Sequence, residues 1–264
     1  MKFQNIFFTL LLMLSWFAGA TWSQVNTENL RKLDLKPSFH AGLQADLNTV
    51  SGNSEFLKMT GNVRLDYVAN SHYAFGVVQY QRGIQNEKTF IHKGFAHLRE
   101  IYILNRRLRV EWFAQKEFNE FIALKDRSLL GTGLRTAALT PDFLPIEKGS
   151  IHFFIGIGLM WENELMDADP DFETKIYRST NYLTLDWKIK DLIKLGIITY
   201  YQVDLKNGND YRILNDSRLT FHITQHLAFQ TSVNFRYDNA PPVNVKKNVK
   251  KYDLEIRNGL RLDF

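Results

Sequence analysis

The chain has 264 residues, 45% of them apolar, and a formal net charge of +5. That length suits one large β-barrel or two small domains, and a negative mean hydropathy excludes a bundle of transmembrane helices. Cysteine is absent, which excludes disulfides and an anchor through a lipidated N-terminal cysteine.

Lys2 is followed by the apolar run 6–17 and by Ala18-Gly19-Ala20. These are the charged, apolar and small-residue parts of a secretory signal. Residues 1–20 are expected to be a cleaved signal peptide, with an uncleaved anchor as the alternative. The run is shorter than the ~20 residues that a spanning helix needs. Residues 21–37 form a polar leader without a clear period.

From residue 38 onward the dominant period is two, and a barrel is expected to fill 38–264. The first candidate strands are 39–47, 55–68, 73–81, 88–104, 107–119 and 124–138. In 151–161, Ile151, Phe153, Ile155, Ile157, Leu159 and Trp161 share a face opposite Gly156, Gly158 and Met160. In 177–189, Leu183, Leu185 and Trp187 oppose Arg178, Thr184 and Asp186. Strands at 192–204, 211–223 and 227–238 follow. The last sets Tyr252, Leu254, Ile256, Leu260, Leu262 and Phe264 against Asp253, Glu255, Arg257 and Arg261. A helix would scatter such residues around its circumference, whereas a strand separates them.

About twelve strands result, most near the ~9–11 residues of a tilted membrane strand. With both termini in the periplasm, alternate connections should be short. The short links 69–72, 105–106, 190–191 and 224–226 share one parity, and the longer stretches 162–175 and 239–248 share the other. The long 140–150 link breaks the rule. Trp161, Tyr177, Trp187, Tyr201, Tyr211, Tyr237 and Tyr252 lie near apparent strand ends. Lipid-facing walls place aromatics there, while a sandwich core has no reason to. Backbone in lipid must be bonded internally, so the sheet should close. The expected fold is all-β, a single antiparallel transmembrane barrel in the outer membrane. A soluble ligand-binding barrel is an alternative.

If the apolar face meets lipid, the charged face lines the lumen. Glu111, Glu117, Arg127, Arg135, Glu162, Arg178, Arg212, Arg218, Arg236, Glu255 and Arg257 form the expected lumenal charge network. Arg127 and Arg135 should meet carboxylates, with Glu111, Glu117 and Glu162 nearest by strand order. Gly131 and Gly133 share that face and leave room for large side chains to cross the interior. A twelve-strand wall at ~4.8 Å spacing and ~40° tilt is roughly 24 Å across. Inward side chains fill most of that width, which argues against a wide porin. Two readings remain: a structural ion-paired plug, or a constriction that selects small solutes.

The ending Gly259, Leu260, Leu262 and Phe264 reads as an assembly signal. A last strand is an unpaired edge until closure, so it is the natural segment for the barrel-assembly machinery to bind.

The run EFNEFIALKDRSLLGTGLR from Glu117 to Arg135 resembles the signature region of a domain-of-unknown-function family that includes the salt-induced outer-membrane proteins. Residues 209–214, and Tyr237-Asp238 followed by Pro241-Pro242, are similar to its C-terminal half. The resemblance covers about 107–264. It implies an outer-membrane barrel and brings no activity with it.

Outer-membrane lipid hydrolases pair a Ser nucleophile with a His base two residues away on one strand face. None of the seven histidines is followed two positions later by Ser. No catalysis is expected; a lipid-modifying enzyme with a site assembled from distant strands is the alternative. His92 and His97 lie on opposite strand faces and make a poor metal pair. Glu162 and Glu164 share a face and could bind a cation at the rim, though such pairs are more often solvated loop carboxylates. Asp167, Asp169 and Asp171 lack the loop glycine and final Glu of a Ca²⁺ loop. Neither metal nor cofactor is expected. The expected partner is outer-membrane lipid, whose headgroups the basic cluster at 246–251 could meet. Basic residues otherwise alternate with acidic and apolar ones, which excludes a nucleic-acid stripe. Nothing in the pattern specifies an oligomeric state.

Overall fold

The computed structural model describes residues 26–32, 35–52, 55–139, 149–190, 192–242 and 249–262. Residues 1–20, the expected signal peptide, lie outside them. Twelve strands follow one another: β1 Ser38–Val50, β2 Phe56–Val68, β3 His72–Gln85, β4 Lys88–Ile103, β5 Leu108–Asn119, β6 Leu124–Leu139, β7 Gly149–Met166, β8 Phe172–Ile189, β9 Ile193–Asp204, β10 Tyr211–His222, β11 Leu227–Asp238 and β12 Tyr252–Leu262. They form one antiparallel sheet in sequence order. The end where β1 starts and β12 finishes is here the near end, and the opposite end the far end.

The two faces of the wall differ sharply. Leu43, Leu130, Ile157, Leu159, Leu254 and Ile256 are each more than half exposed on the outside. Tyr201, Tyr211 and Tyr237 pack in a tilted row along the far rim with neighbouring ring centroids 5.9 Å apart, and exposed Tyr177 and Tyr252 extend that rim. Exposed Phe39, Tyr67, Tyr102, Trp187 and Phe221 mark the near rim. Aliphatics between two aromatic girdles are the surface of a lipid-facing strand wall. The inside buries Asp66, Arg135, Glu162 and Arg178 to 2% exposure or less.

Two expectations about the connections change. The alternation runs on through Glu162, Asn163, Glu164 and Leu165, so β7 is longer than expected and the link to β8 shrinks to 167–171. Glu162 and Glu164 are therefore buried strand residues and not solvated loop carboxylates. The β3–β4 link is only Asn86-Glu87, both with positive φ, the backbone of a tight type I′ hairpin. Far-end connections are thus not uniformly long. Within 167–171, Asp167 and Asp171 bind Lys125 at 3.2 and 2.7 Å.

The sheet is curled. One short segment of the leader, 26–32, touches residues of β2, β3, β4, β5, β6, β9 and β10, as described below, and no flat sheet allows that. Closure was also expected. Among the described residues, however, β1 pairs with β2 alone and β12 with β11 alone. The inward residues of β1, among them Gln44, Asp46 and Asn48, are exposed and take no part in the buried ion pairs that tie the other strands together.

Candidate functional site

The lumen is built in layers. Strand register makes the far layer. Glu117 sits opposite Arg127 across β5–β6, Arg127 opposite Glu164 across β6–β7, and Arg212 opposite Asp238 across β10–β11. Glu162 and Glu164, two apart on β7, share the inner face. Arg127 Nη1 donates to Glu117 at 2.5 Å and its Nε to Glu164 at 2.5 Å. Arg212 donates to Glu162 at 2.9 Å, Glu164 at 3.0 Å and Asp238 at 2.8 Å. Arg178 donates to Glu162 at 2.9 Å and to Asp210 at 2.8 Å. Burying isolated ions is costly, and here each arginine lies between two or more acids. Arg236 pairs with Asp216 at 2.6 Å, nearer the middle of the wall.

Below it lies a spacer of Gln115, Leu129, Met160, Thr180, Gln202 and Leu214 around a cavity of about 40 Å³. The central layer follows, and the leader completes it. Asn26 accepts from the Glu28 amide and caps the 3-10 turn Thr27–Leu30. Leu30 and Leu35 pack on Tyr73, Phe75, Val77 and Ile101 of β3 and β4. The polar side of the leader faces the charges. Glu28 accepts from Arg99 at 2.5 Å, from Arg31 at 3.0 Å and from Arg135. Arg31 also reaches Glu111 at 2.7 Å, and Glu111 accepts from Arg99 at 3.1 Å and Tyr182 at 3.2 Å. Thr27 accepts from Arg99 at 2.7 Å and lies 3.4 Å from the Tyr200 hydroxyl. Asn29 donates to Asp216. Lys32 lies 3.7 Å from Asp66, and its amide donates to Tyr73. Arg135 stacks over Phe154 at 4.1 Å. Burial alone would raise the Glu28 carboxyl, but Arg31, Arg135 and Arg99 outweigh it and hold Glu28 well below the usual carboxylate range.

Glycine sets the width of this layer. Gly133 and Gly158 face each other across β6–β7. A Cβ on Gly158 would lie 2.6 Å from the Thr132 carbonyl oxygen and 3.2 Å from the Gly133 Cα. Gly131 and Gly156 are covered by Phe113 and Tyr182.

On the near side the leader meets open space. A vestibule of about 690 Å³ ends on Asn26, Asn29 and Leu30 and is walled by β7 to β12, with Gln79 of β3 opposite. Lys188, Lys194, Arg218, Arg257 and Arg261 line it, and all five are exposed. The acids among its lining residues are Asp186 and Asp216.

Residues 43–264 match the family described as "Protein of unknown function, DUF481". The chain belongs to that family. Among solved structures, "NanC porin structure in rhombohedral crystal form" is similar with a TM-score of 0.42 at 10% identity, over 86% of this chain and 99% of that one. No curated protein is significantly similar in sequence.

In this DUF481 chain the anticipated charge residues divide into three groups. Glu117, Arg127, Glu162, Arg178 and Arg212 meet in the far layer, with Arg236 just below it. Glu111 and Arg135 lie in the central layer, but Arg135 does not bind Glu111, Glu117 or Glu162. Its acidic partner is Glu28, because register sets Arg135 opposite Arg109 and moves Glu111 two residues away. Arg218, Glu255 and Arg257 stand apart. Arg218 lines the vestibule, and Arg257 donates to Glu255 at 2.6 Å on the exposed β12 edge. Of the expected assembly residues, Gly259, Leu260 and Leu262 lie on β12, with Leu260 and Leu262 exposed outward. Phe264 and residues 246–248 of the basic cluster lie outside the described residues. Glu28, Arg31, Arg99, Glu164, Tyr182 and Tyr200 were not anticipated. Only the Asn26-Thr27-Glu28 cap gave a local signal for the leader turn. Among the described residues, no group of three or more His, Asp or Glu is placed to hold a metal ion.

Proposed function

We propose that this protein is a non-catalytic outer-membrane β-barrel that forms a narrow, gated passage for small solutes, obstructed at rest. An apolar outer band between two aromatic girdles supports membrane placement. One observation carries the gated reading: the open near-side vestibule ends on the leader, which is held in the lumen by side-chain contacts, the ion pairs of Glu28 and Arg31 and the packing of Leu30 on β3 and β4, and not by strand pairing. The far ion-pair layer favours a second, purely structural reading, in which the lumen is a permanent plug.

Planar-bilayer conductance decides between them. The full chain should conduct little, and a variant lacking residues 26–32 should conduct steadily. A variant that inserts normally and stays silent leaves the structural reading standing. Lipid-release assays on the same purified protein test the remaining alternative, a lipid-modifying enzyme.

A further inference from the structure

We infer that the barrel wall carries a binding site for a small carboxylate, formed by Arg99 and Arg135, and that Glu28 of the leader is its resident internal ligand. It rests on the reading of the vestibule as a solute entrance and names the solute class.

Arg99 and Arg135 come from separate strands of the wall, and both are almost fully buried. The acidic partner of Arg135 is Glu28, which the wall does not contribute. Its remaining partners are the Tyr182 hydroxyl at 3.4 Å and the Phe154 face. A buried guanidinium without an acid is strongly unfavourable. Once the leader withdraws, the wall therefore presents two preplaced guanidinium groups that a carboxylate can bridge. Glu28 fills it as a carboxylate ligand does, with Arg99 on one oxygen and Arg135 on the other.

Further donors remain at the site. Arg99 Nε and Arg109 Nη1 are buried without a hydrogen-bond partner. Arg109 lies beside the same Phe154 ring as Arg135, 5.5 Å from its centroid. The wall thus contributes Arg99, Arg109 and Arg135 against Glu111, with Asp186 also within electrostatic reach of Arg135, and the leader adds one charge of each sign, Glu28 and Arg31.

The route to the site has the same sign. Lys188, Lys194, Arg218, Arg257 and Arg261 line the vestibule that ends on the leader. A cleft lined by one sign of charge concentrates the opposite ion. Carboxylate geometry suits a pair of guanidinium groups better than a spherical halide does. The ligand class is a small organic monocarboxylate, and Glu28 is the group it displaces.

The test is chemical rescue in the full chain. Glu28→Ala removes a group the size of acetate, so acetate is the probe. The variant should lose heat stability, read as a lower temperature of the gel shift between folded and unfolded barrel. Acetate should raise that temperature by several degrees, equimolar chloride should not, and wild type should respond to neither. The double variant Glu28→Ala/Arg135→Ala should lose the acetate response. Equal effects of acetate and chloride, or an acetate response that survives in the double variant, overturn the site. If Glu28→Ala does not fold, refolding it in acetate or in chloride gives the same decision: recovery in acetate alone supports the site, and recovery in both or in neither overturns it. This readout is independent of conductance. Acetate rescue beside a silent leader-deleted barrel would sink the passage and keep the site, and conduction without rescue would do the reverse.

Discussion

The Arg135 guanidinium on β6 donates to Glu28, a residue 107 positions earlier in the chain. This bond joins the leader to the wall, and both groups are buried. Removing one partner of a buried pair leaves an uncompensated charge, which costs about 3–5 kcal/mol. Arg135→Ala is expected to destabilise the barrel by that order, and Arg135→Lys to recover part of the loss. Denaturant unfolding in one detergent checks both. A loss below about 1 kcal/mol, the value of exposed pairs, would mean that water reaches the pair and the lumen is wet.

The glycine pair predicts a second asymmetry. Gly158→Ala places a Cβ 2.6 Å from the Thr132 carbonyl oxygen, and backbone on both strands has to move. Overpacking of that kind costs about 1–3 kcal/mol. Gly42→Ala on the inner face of β1 meets nothing within 4 Å and should stay within about 0.5 kcal/mol of wild type. Parallel unfolding curves of the two variants separate close strand approach from a general glycine effect.

Lipid contact has its own signature. Ile157 is 57% exposed on the outer face at mid-strand, where an arginine costs about 2–4 kcal/mol in a bilayer. Ser232 lines the vestibule, so Ser232→Arg should be nearly neutral. Equal penalties for Ile157→Arg and Ser232→Arg, measured in the same lipid, would reverse the assignment of faces.

Acid should leave the leader in place. A carboxyl whose pKa is depressed in the fold stabilises it above the unfolded value, 4.5 for Glu28, and loses that contribution only as pH falls toward the folded value. Because the folded value lies well below the ordinary range, the leader should stay docked through mild acid. Conductance recorded down to pH 4 should therefore remain low. An opening near pH 4.5 would show that Glu28 titrates as a solvated carboxyl.

The wall is readable in the chain because each strand alternates for itself. Leu254, Ile256 and Leu260 against Glu255 and Arg257 need no partner to declare their faces. Register is also readable where cross-strand charges are direct, as between Glu117 and Arg127. The leader is opaque for a matching reason. Glu28 sits in a four-residue turn with no period, and its wall partners, Arg99 and Arg135, come from two strands far along the chain. The far end of β7 is not legible because Glu164 looks solvent-borne until the lumen that neutralises it exists.

The order of pairing in this sheet also sets an order of events. Each strand bonds to the one before it in sequence, so hairpins can zip one after another with short loops to close. The leader emerges first yet must wait for β4, β6, β9 and β10 before Arg99, Arg135, Tyr200 and Asp216 are all in place. Its docking is the slow, long-range event of maturation. Until then, a half-built wall holds bare arginines, and a segment that precedes every strand is the last to come to rest.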